Sequence, residues 1–407
     1  MGTTPPVVPD GLASTAGEGG VLVRVLFSST WGVGHVFPMA PLARAFIAAG
    51  HQVLWVTHEP ARPVVQAAGI DVQAAGLSAE QVHAVVGRMR DLTAPLPPAE
   101  RAGVAFRAMF GAWATPPMLA ALLPIARGWG PDLLIHEPAE LAAPLVAALL
   151  GVPCVTHSWG PAIPAEILRA AAHELTGLWA AHDRAVPQFA GLFQAGYLDL
   201  CPPAVQYIPI DHIGQRIPLR PVPYGGEETG PAIQDLAPAD GRPLIYITLG
   251  TVFTDTTLLQ GTVDAAAAVG ARVVATVGPH ADPALISRPS NAVEVHRWVS
   301  QTSLFAHAAL VVSHAGSGTF LGALSAGLPQ LCLPQAADQF RNATAAVRSG
   351  AGLALTPDQV TPDALDRAIQ GLLRDTTYRA AATRVATEIA AMPDPSTVVT
   401  TLVDRIR

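Results

Sequence analysis

Short, continuously apolar runs alternate with helix-length segments in two long series, and that alternation restricts the fold more than any other feature. Val21–Phe27 reads VLVRVLF, without the hydrophobic–polar alternation of a half-exposed strand, as burial on both faces requires. A glycine-bearing loop, Ser28–Gly34, leads to a helical stretch from Phe37 to Ala49, and strand Gln52–Thr57 follows. The series continues with helix Pro60–Ala68, strand Ile70–Ala74, a helical stretch Ala99–Arg127, strand Asp132–His136, helix Ala139–Leu150 and strand Pro153–His157. Strands separated by helices of this length imply βαβ units and a parallel sheet.

From Ile208 to Arg242 the pattern fails, and Pro and Gly crowd the stretch as in an interdomain linker. A second series then predicts strands Leu244–Leu249, Arg272–Val277, Ala292–His296, Leu310–Ser313, Gln330–Leu333 and Gly352–Leu355. Helical periodicity runs over Pro362–Ala391, and a short helix Ser396–Ile406 follows a break at Met392–Pro395. The expected fold class is α/β, with two doubly wound, Rossmann-like domains facing across a cleft. Residues 1–20 are expected to form a disordered tail, 21–212 the first domain, 213–240 the linker, 241–391 the second domain and 392–407 a terminal helix.

Composition removes several classes of function. Half of the 407 residues are hydrophobic and 14% are charged, too apolar a balance for a disordered chain. The longest apolar run, Leu141–Val155, is interrupted by Pro144, Gly151 and Pro153 and is shorter than a bilayer span. No membrane insertion is expected. A net charge of −7 argues against nucleic acid, whose phosphates need a basic surface. All 24 basic residues are arginine, which excludes a Schiff-base lysine and a Walker A phosphate loop. Cys154, Cys201 and Cys332 lie far apart in apolar settings, as buried thiols of a reducing compartment do. Met1–Gly20 has neither the basic nor the apolar segment of a signal peptide, so the expected location is cytoplasmic, as a monomer or homodimer.

The densest chemistry lies in Trp298–Gln339. Strand Leu310–Ser313 runs into His314-Ala-Gly316-Ser317-Gly318-Thr319 and then a helix. Gly316 and Gly318 let a ligand approach the backbone, and a helix start offers unpaired N–H groups and partial positive charge to an anion. Read alone, the same residues make an ordinary helix start with turn glycines. The surroundings decide otherwise. Residues Leu244–Ala351 resemble the donor domain of family 1 GT-B glycosyltransferases, particularly bacterial enzymes acting on natural products of the antibiotic, polyketide or enediyne kind. His314, Gly316, Gly318 and Thr319 match the HxGxGT signature. Trp298-Val299-Ser300-Gln301 matches WVPQ with serine for proline, Pro334–Gln339 matches P-x-x-x-D-Q, and Thr248–Thr251 matches TLGT. The resemblance extends weakly over the N-terminal half.

The resemblance implies that His314 and the Gly316–Thr319 amides, Ser317 included, hold a nucleotide-sugar diphosphate, with Thr251 a further phosphate contact. Trp298 would lie beside the base, the Val299 backbone would read its edge, and Asp338 and Gln339 would bond sugar hydroxyls. It also implies a general base in the first loop, which His35 matches. An ordinary histidine pKa near 6.5 suits proton removal from an alcohol at neutral pH. A carboxylate commonly orients that histidine. Here the fourth strand ends in His136-Glu137, and either could serve. Phe106, Phe110, Trp113 and Trp159 are acceptor-site candidates, while their plainer reading is packing between helices. The terminal helix is expected to cross back to the first domain.

The resemblance implies metal-independent inverting transfer of a sugar, a deoxysugar by the same resemblance, to a lipophilic aglycone, with a dTDP-sugar favoured over a UDP-sugar and no further cofactor. The absence of any D-x-D agrees with a metal-free site. Two alternatives are a dinucleotide-dependent oxidoreductase and a non-catalytic nucleotide-sugar-binding helper. The first would use Gly32-Val-Gly34 with Glu59, but its third glycine position holds Phe37. A helper would have no use for both His35 and His314.

Overall fold

The apolar runs fold as two all-parallel sheets, of seven and six strands, in a computed structural model describing residues 22–224, 241–250, 255–278 and 281–406. The first sheet holds β1 (Arg24–Ser29), β2 (Gln52–Thr57), β3 (Val72–Ala74), β4 (Leu133–His136), β5 (Cys154–His157), β6 (Tyr197–Asp199) and β7 (Arg216–Pro218), in the order β3-β2-β1-β4-β5-β6-β7. The second holds β8 (Leu244–Thr248), β9 (Arg272–Thr276), β10 (Val293–His296), β11 (Ala308–Ser313), β12 (Gln330–Cys332) and β13 (Gly352–Ala354), in the order β10-β9-β8-β11-β12-β13. Each order reverses once, between β1 and β4 and between β8 and β11. Open α/β sheets bind ligands outside the carboxyl ends of their strands at such a reversal.

Burial explains why the strands read as unbroken apolar runs. Successive strand residues point to opposite faces. Val25 and Phe27 enter one core cluster with Trp55, Leu42 and Phe46, while Leu26 enters another with Leu54, Met118 and Leu122. Helices cover both faces, and the buried polar residues of these strands, Ser28, Thr57, His136 and His157 among them, gather at the carboxyl ends.

The structure departs from the sequence reading in several places. The linker was expected to begin at 213, yet β7 lies beyond it and pairs with β6 in the first sheet. Both strands have three residues, too few to carry periodicity. Helix Ala79–Thr93, with a Ser78–Gln81 capping box, was not foreseen. The helical stretch Ala99–Arg127 extends over 98–129 with a π-helical segment, Phe106–Ala114, inside it. This run is also long and apolar enough to pass for a membrane span, but Phe106, Phe110, Met118, Leu122 and Ala126 are buried in the first domain. The periodicity over Pro362–Ala391 splits into Pro362–Arg374 and Thr376–Ala391, because Asp375 leaves the helical conformation and caps the second helix through the Thr377 N–H. The first helical stretch, expected from Phe37, begins at Ala40 after Pro38, and a separate short helix, Val33–Val36, stands where the loop was expected to end. The expected tail, and the linker over 225–240, lie outside the described residues.

The terminal helix, Pro395–Ile406, returns to the first domain. Its Val398, Val399, Leu402 and Val403 share a buried cluster with Leu42, Ala43 and Phe46 of helix Ala40–Ala48. Beside it the Arg220 N–H donates to the Pro393 carbonyl at 2.8 Å, and the Ala204 N–H to Glu388 at 3.0 Å. Truncating a buried leucine to alanine costs about 2–5 kcal/mol. Leu402→Ala, at a site 2% exposed, should therefore lower unfolding stability by that amount, whereas Leu285→Ala, at a site 64% exposed, should change it little. Urea titration of the two variants measures the difference, and equal stabilities would mean that the helix is not docked.

Candidate active site

At the first reversal the loops after β1 and β4 lie side by side, since Ser28 pairs with His136 across the two strands. His35 sits in the short helix Val33–Val36, and Gly32 precedes it because a Cβ there would meet His35 Cδ2 at 2.8 Å. Glu137 follows β4 and has no exposed surface. Its Oε1 accepts the Thr30 N–H at 2.9 Å and its Oε2 the Ala139 N–H at 2.6 Å. His35 Nδ1 stands 3.1 Å from Glu137 Oε1, close but not aligned as a hydrogen bond. Burial alone would raise the Glu137 pKa. The neighbouring His35 charge, its side-chain contact and the two backbone N–H groups outweigh burial and hold the carboxyl below its ordinary value.

Of the two candidates it is Glu137, not His136, that stands beside His35. His136 Nδ1 lies 2.7 Å from the Glu140 carbonyl and Nε2 lies 3.0 Å from Thr156 Oγ1, and burial lowers its pKa to about 4. It is a neutral, internally bonded histidine. A carboxylate beside Nδ1 favours the tautomer protonated there, leaving the His35 Nε2 lone pair for a proton.

Aromatic rings wall this pair. Trp159 stands edge-on to His35 at 4.5 Å between ring centres, Phe110 is at 5.6 Å, and Phe106 packs on Phe110 at 5.4 Å. Trp31 and His58 complete the wall, at 5.7 Å from Phe110 and 5.2 Å from Trp31 respectively. Neither was singled out from sequence. His58 accepts the Leu77 N–H on Nδ1 at 2.8 Å, and burial lowers its pKa to about 4, so it is neutral at pH 7. Trp113 goes elsewhere. Its ring carries the Arg88 guanidinium at 4.3 Å, and no described ring contact joins it to the others. The π-helical register has a local cause, because Pro116 and Pro117 have no N–H to close α-helical bonds onto the preceding turn. The Thr115 hydroxyl donates instead to the Phe110 carbonyl at 2.7 Å.

At the second reversal the His314 N–H donates to the Thr248 carbonyl at 3.3 Å, joining the ends of β8 and β11. The His314 ring fits because Gly250 and Gly316 have no side chains, as Cβ atoms there would meet Nε2 at 2.8 and 2.5 Å. Its Nδ1 is buried without a partner, and burial lowers its pKa, so it is a neutral imidazole at pH 7. Helix Ser317–Ser325 begins at Gly316 with no side chain capping it, which leaves its first N–H groups to a ligand.

Ser317 Oγ donates to Asp338 Oδ2 at 2.7 Å, and Asn342 Nδ2 donates to Ser317 Oγ, Asp338 Oδ2 and the Ala315 carbonyl. Gln339 Oε1 accepts the Gln335 and Ala336 N–H groups at 2.7 and 2.9 Å, so only its amide NH₂ remains for a ligand. Thr319 is bonded to Gln301, which also reaches the Tyr246 hydroxyl at 3.3 Å. Trp298 is partly buried and Val299 buried beside this loop. Thr251 lies outside the described residues. Asn342 and Tyr246 were missed, although Asn342 stands one helical turn after Asp338.

Two all-parallel, doubly wound domains, one offering a histidine–carboxylate pair and the other an open helix start, define a GT-B glycosyltransferase. Residues 44–250 and 260–405 match the N- and C-terminal domain profiles of the erythromycin biosynthesis protein CIII-like family. The chain belongs to that family. It is 35% identical to L-demethylnoviosyl transferase of Streptomyces niveus, over 92% of this chain and 96% of the relative. Among solved structures it resembles the glycosyltransferase SnogD of Streptomyces nogalater (TM-score 0.76, 29% identity, 95% of this chain and 100% of that one). It also resembles spinosyn rhamnosyltransferase SpnG complexed with thymidine diphosphate (TM-score 0.78, 28% identity, 93% and 99%). This is a glycosyltransferase of the kind found in antibiotic pathways.

One buried group near the site has a measurable signature. Glu140 is 2% exposed, accepts the Ala142 and Ala143 N–H groups and has its pKa pushed up to about 7, chiefly by burial. Between the ordinary glutamate pKa, about 4.3, and about 7 the folded state binds the extra proton, so this residue's contribution to stability falls as pH rises. Glu140→Gln should gain on the parent across that window by up to roughly 4 kcal/mol, at 1.36 kcal/mol per pKa unit. Urea unfolding at pH 4.5 and pH 8 checks it, and a pH-independent difference would refute it.

Proposed function

We propose that this chain moves a deoxysugar from a dTDP-sugar to the hydroxyl of a lipophilic aglycone, with inversion and without a metal. The observation that carries the division of labour is that the histidine–carboxylate pair and the uncapped helix start occupy corresponding reversals of the two sheets. The thymidine diphosphate in SpnG supports the choice of nucleotide.

His35, oriented by Glu137, takes the acceptor proton on Nε2 as the oxygen attacks the anomeric carbon. The bond to the diphosphate breaks in the same displacement, and the departing charge meets the Gly316–Thr319 amides and the neutral imidazole of His314. Preorganised donors aimed at developing charge are worth several kcal/mol in a site shielded from water. Trp298 and Val299 would hold the base, and Thr251 would add a phosphate contact. Asp338 and the Gln339 amide would take sugar hydroxyls. Phe106, Phe110 and Trp159, with Trp31, would form the aglycone wall. Trp113, held under Arg88, does not belong to it.

His35→Ala should lower turnover by about 10²–10⁴ with a weakly acidic alcohol and leave dTDP affinity nearly intact. His314→Ala should weaken dTDP by about tenfold or more, the loss of a hydrogen bond to a charged group. Turnover assays and calorimetric titration of both variants test the division, which fails if the two lose nucleotide affinity equally. Activity should also persist in EDTA, and dependence on added Mg²⁺ or Mn²⁺ would overturn the metal-free account of the leaving group.

A further inference from the structure

Across the cleft a residue of the first half that the proposed chemistry does not use, Gly160, lies close to Ser317 of the second. Gly160 lies in the loop after β5, and a Cβ built on it would stand 3.0 Å from Ser317 Oγ, 3.4 Å from Ser317 Cβ and 3.6 Å from Leu321 Cδ1. Its conformation is not one that demands glycine, so the neighbour across the cleft is what excludes a side chain. That neighbour is the first residue of the uncapped helix, and its hydroxyl already serves Asp338 and Asn342. The preceding residue, Trp159, stands edge-on to His35 at 4.5 Å, and its Nε1 is buried without a partner. One dipeptide therefore joins the place where a diphosphate would sit to the ring that would take the proton.

We propose that Trp159-Gly160 is a positioning element, through which seating of the diphosphate at Ser317 turns His35 into line with Glu137. Nδ1 and Oε1 stand 3.1 Å apart and lack only alignment, so a small rotation of the imidazole is enough to join them. A small displacement of Ser317 moves the Gly160 backbone, which has no side chain to absorb the shift. Trp159 passes it to the imidazole through a ring contact. The other titratable group acting on His35 is His58, held on Nδ1 by the Leu77 N–H and packed against Gly76, so it cannot follow the movement. Donor arrival and base alignment thus become one event, and the base is aligned only when a sugar is present to receive the nucleophile.

The inference rests on His35 as the base, and His35→Ala is measured alongside to separate the two. Gly160→Ala should lower kcat at saturating donor and acceptor by about 10- to 100-fold, the usual effect of misplacing a reacting group by an ångström or less. It should also displace the acid limb of the kcat–pH profile, and leave dTDP affinity nearly unchanged. The kcat penalty should shrink in a Ser317→Ala background, where the nearest clashing atom is gone. Trp159→Phe, which keeps a ring against His35, should retain far more kcat than Trp159→Leu, and this comparison stands even if Gly160→Ala does not fold. If Gly160→Ala raises only the donor KM, with kcat and its pH profile intact, Gly160 is merely a close-packed glycine and the proposal is wrong. Equal kcat in the two Trp159 variants also overturns it. If His35→Ala stays active, it is the assignment of the base that fails.

Discussion

A carboxylate with no exposed surface is the constraint around which the first domain is arranged. Removing such a charge from water costs several kcal/mol unless partners replace the solvent. Glu137 finds them in two backbone N–H groups and an imidazole, and these exist only where the loops after β1 and β4 run together. Three residues on, Glu140 is equally buried and also accepts two backbone N–H groups, yet its pKa moves the other way. The difference is the neighbouring charge, since Glu137 has His35 beside it whereas Glu140 has the Glu137 carboxylate. With His35 beside it a buried carboxyl stays ionised, and without such a neighbour it holds its proton toward neutral pH. Two carboxyls driven apart by their surroundings mark which one is available to orient a base.

The second domain solves a different electrostatic problem with the same topology. Its reversal presents a helix start and a neutral imidazole, a setting suited to negative charge, and carboxylate is confined to hydrogen bonds with Ser317 and Asn342. The turn is shaped at some cost. Ala315 and Ala337, in the loops that follow β11 and β12, have φ of +63° and +54°, left-handed conformations unusual for alanine. Such positions cluster where surrounding structure holds a site in place. Here the Asn342 amide grips the Ala315 carbonyl, and the Gln339 side chain holds the Ala336 N–H.

How much could be read in advance follows from where each signal resides. Gln52–Thr57 is legible to the residue, because a strand buried on both faces has a composition nothing else shares. Tyr197–Asp199 and Arg216–Pro218 are not legible, since three residues carry no period and their pairing depends on distant chain. The partner of His35 stayed open because Glu137 lies one residue past the end of β4, where strand alternation no longer assigns a face. Trp31 sat in a loop already marked as functional, but nothing local distinguishes an indole facing a cleft from one facing the core. The Gly160–Ser317 contact joins residues from opposite halves, and a lone glycine in a loop reports nothing about what crosses above it.

The same logic explains why the donor half announced itself and the acceptor half did not. Where a ligand is held by backbone N–H groups, the sequence records it as glycine at the points of closest approach, and Gly250 and Gly316 could not be replaced without striking the His314 ring. Where a ligand is held by side chains on a helix, the helix register must be known first. Between Phe106 and Ala114 that register is π-helical, because two prolines cannot close the bonds of an α-helix. A reading at 3.6 residues per turn therefore cannot separate Phe110, which faces His35, from Trp113, which lies under Arg88. The backbone-lined site is tied to one ligand class by geometry. The aromatic wall is set by side chains, and apart from Trp159 and Phe110, which touch His35, its members can change without meeting the histidine–carboxylate pair.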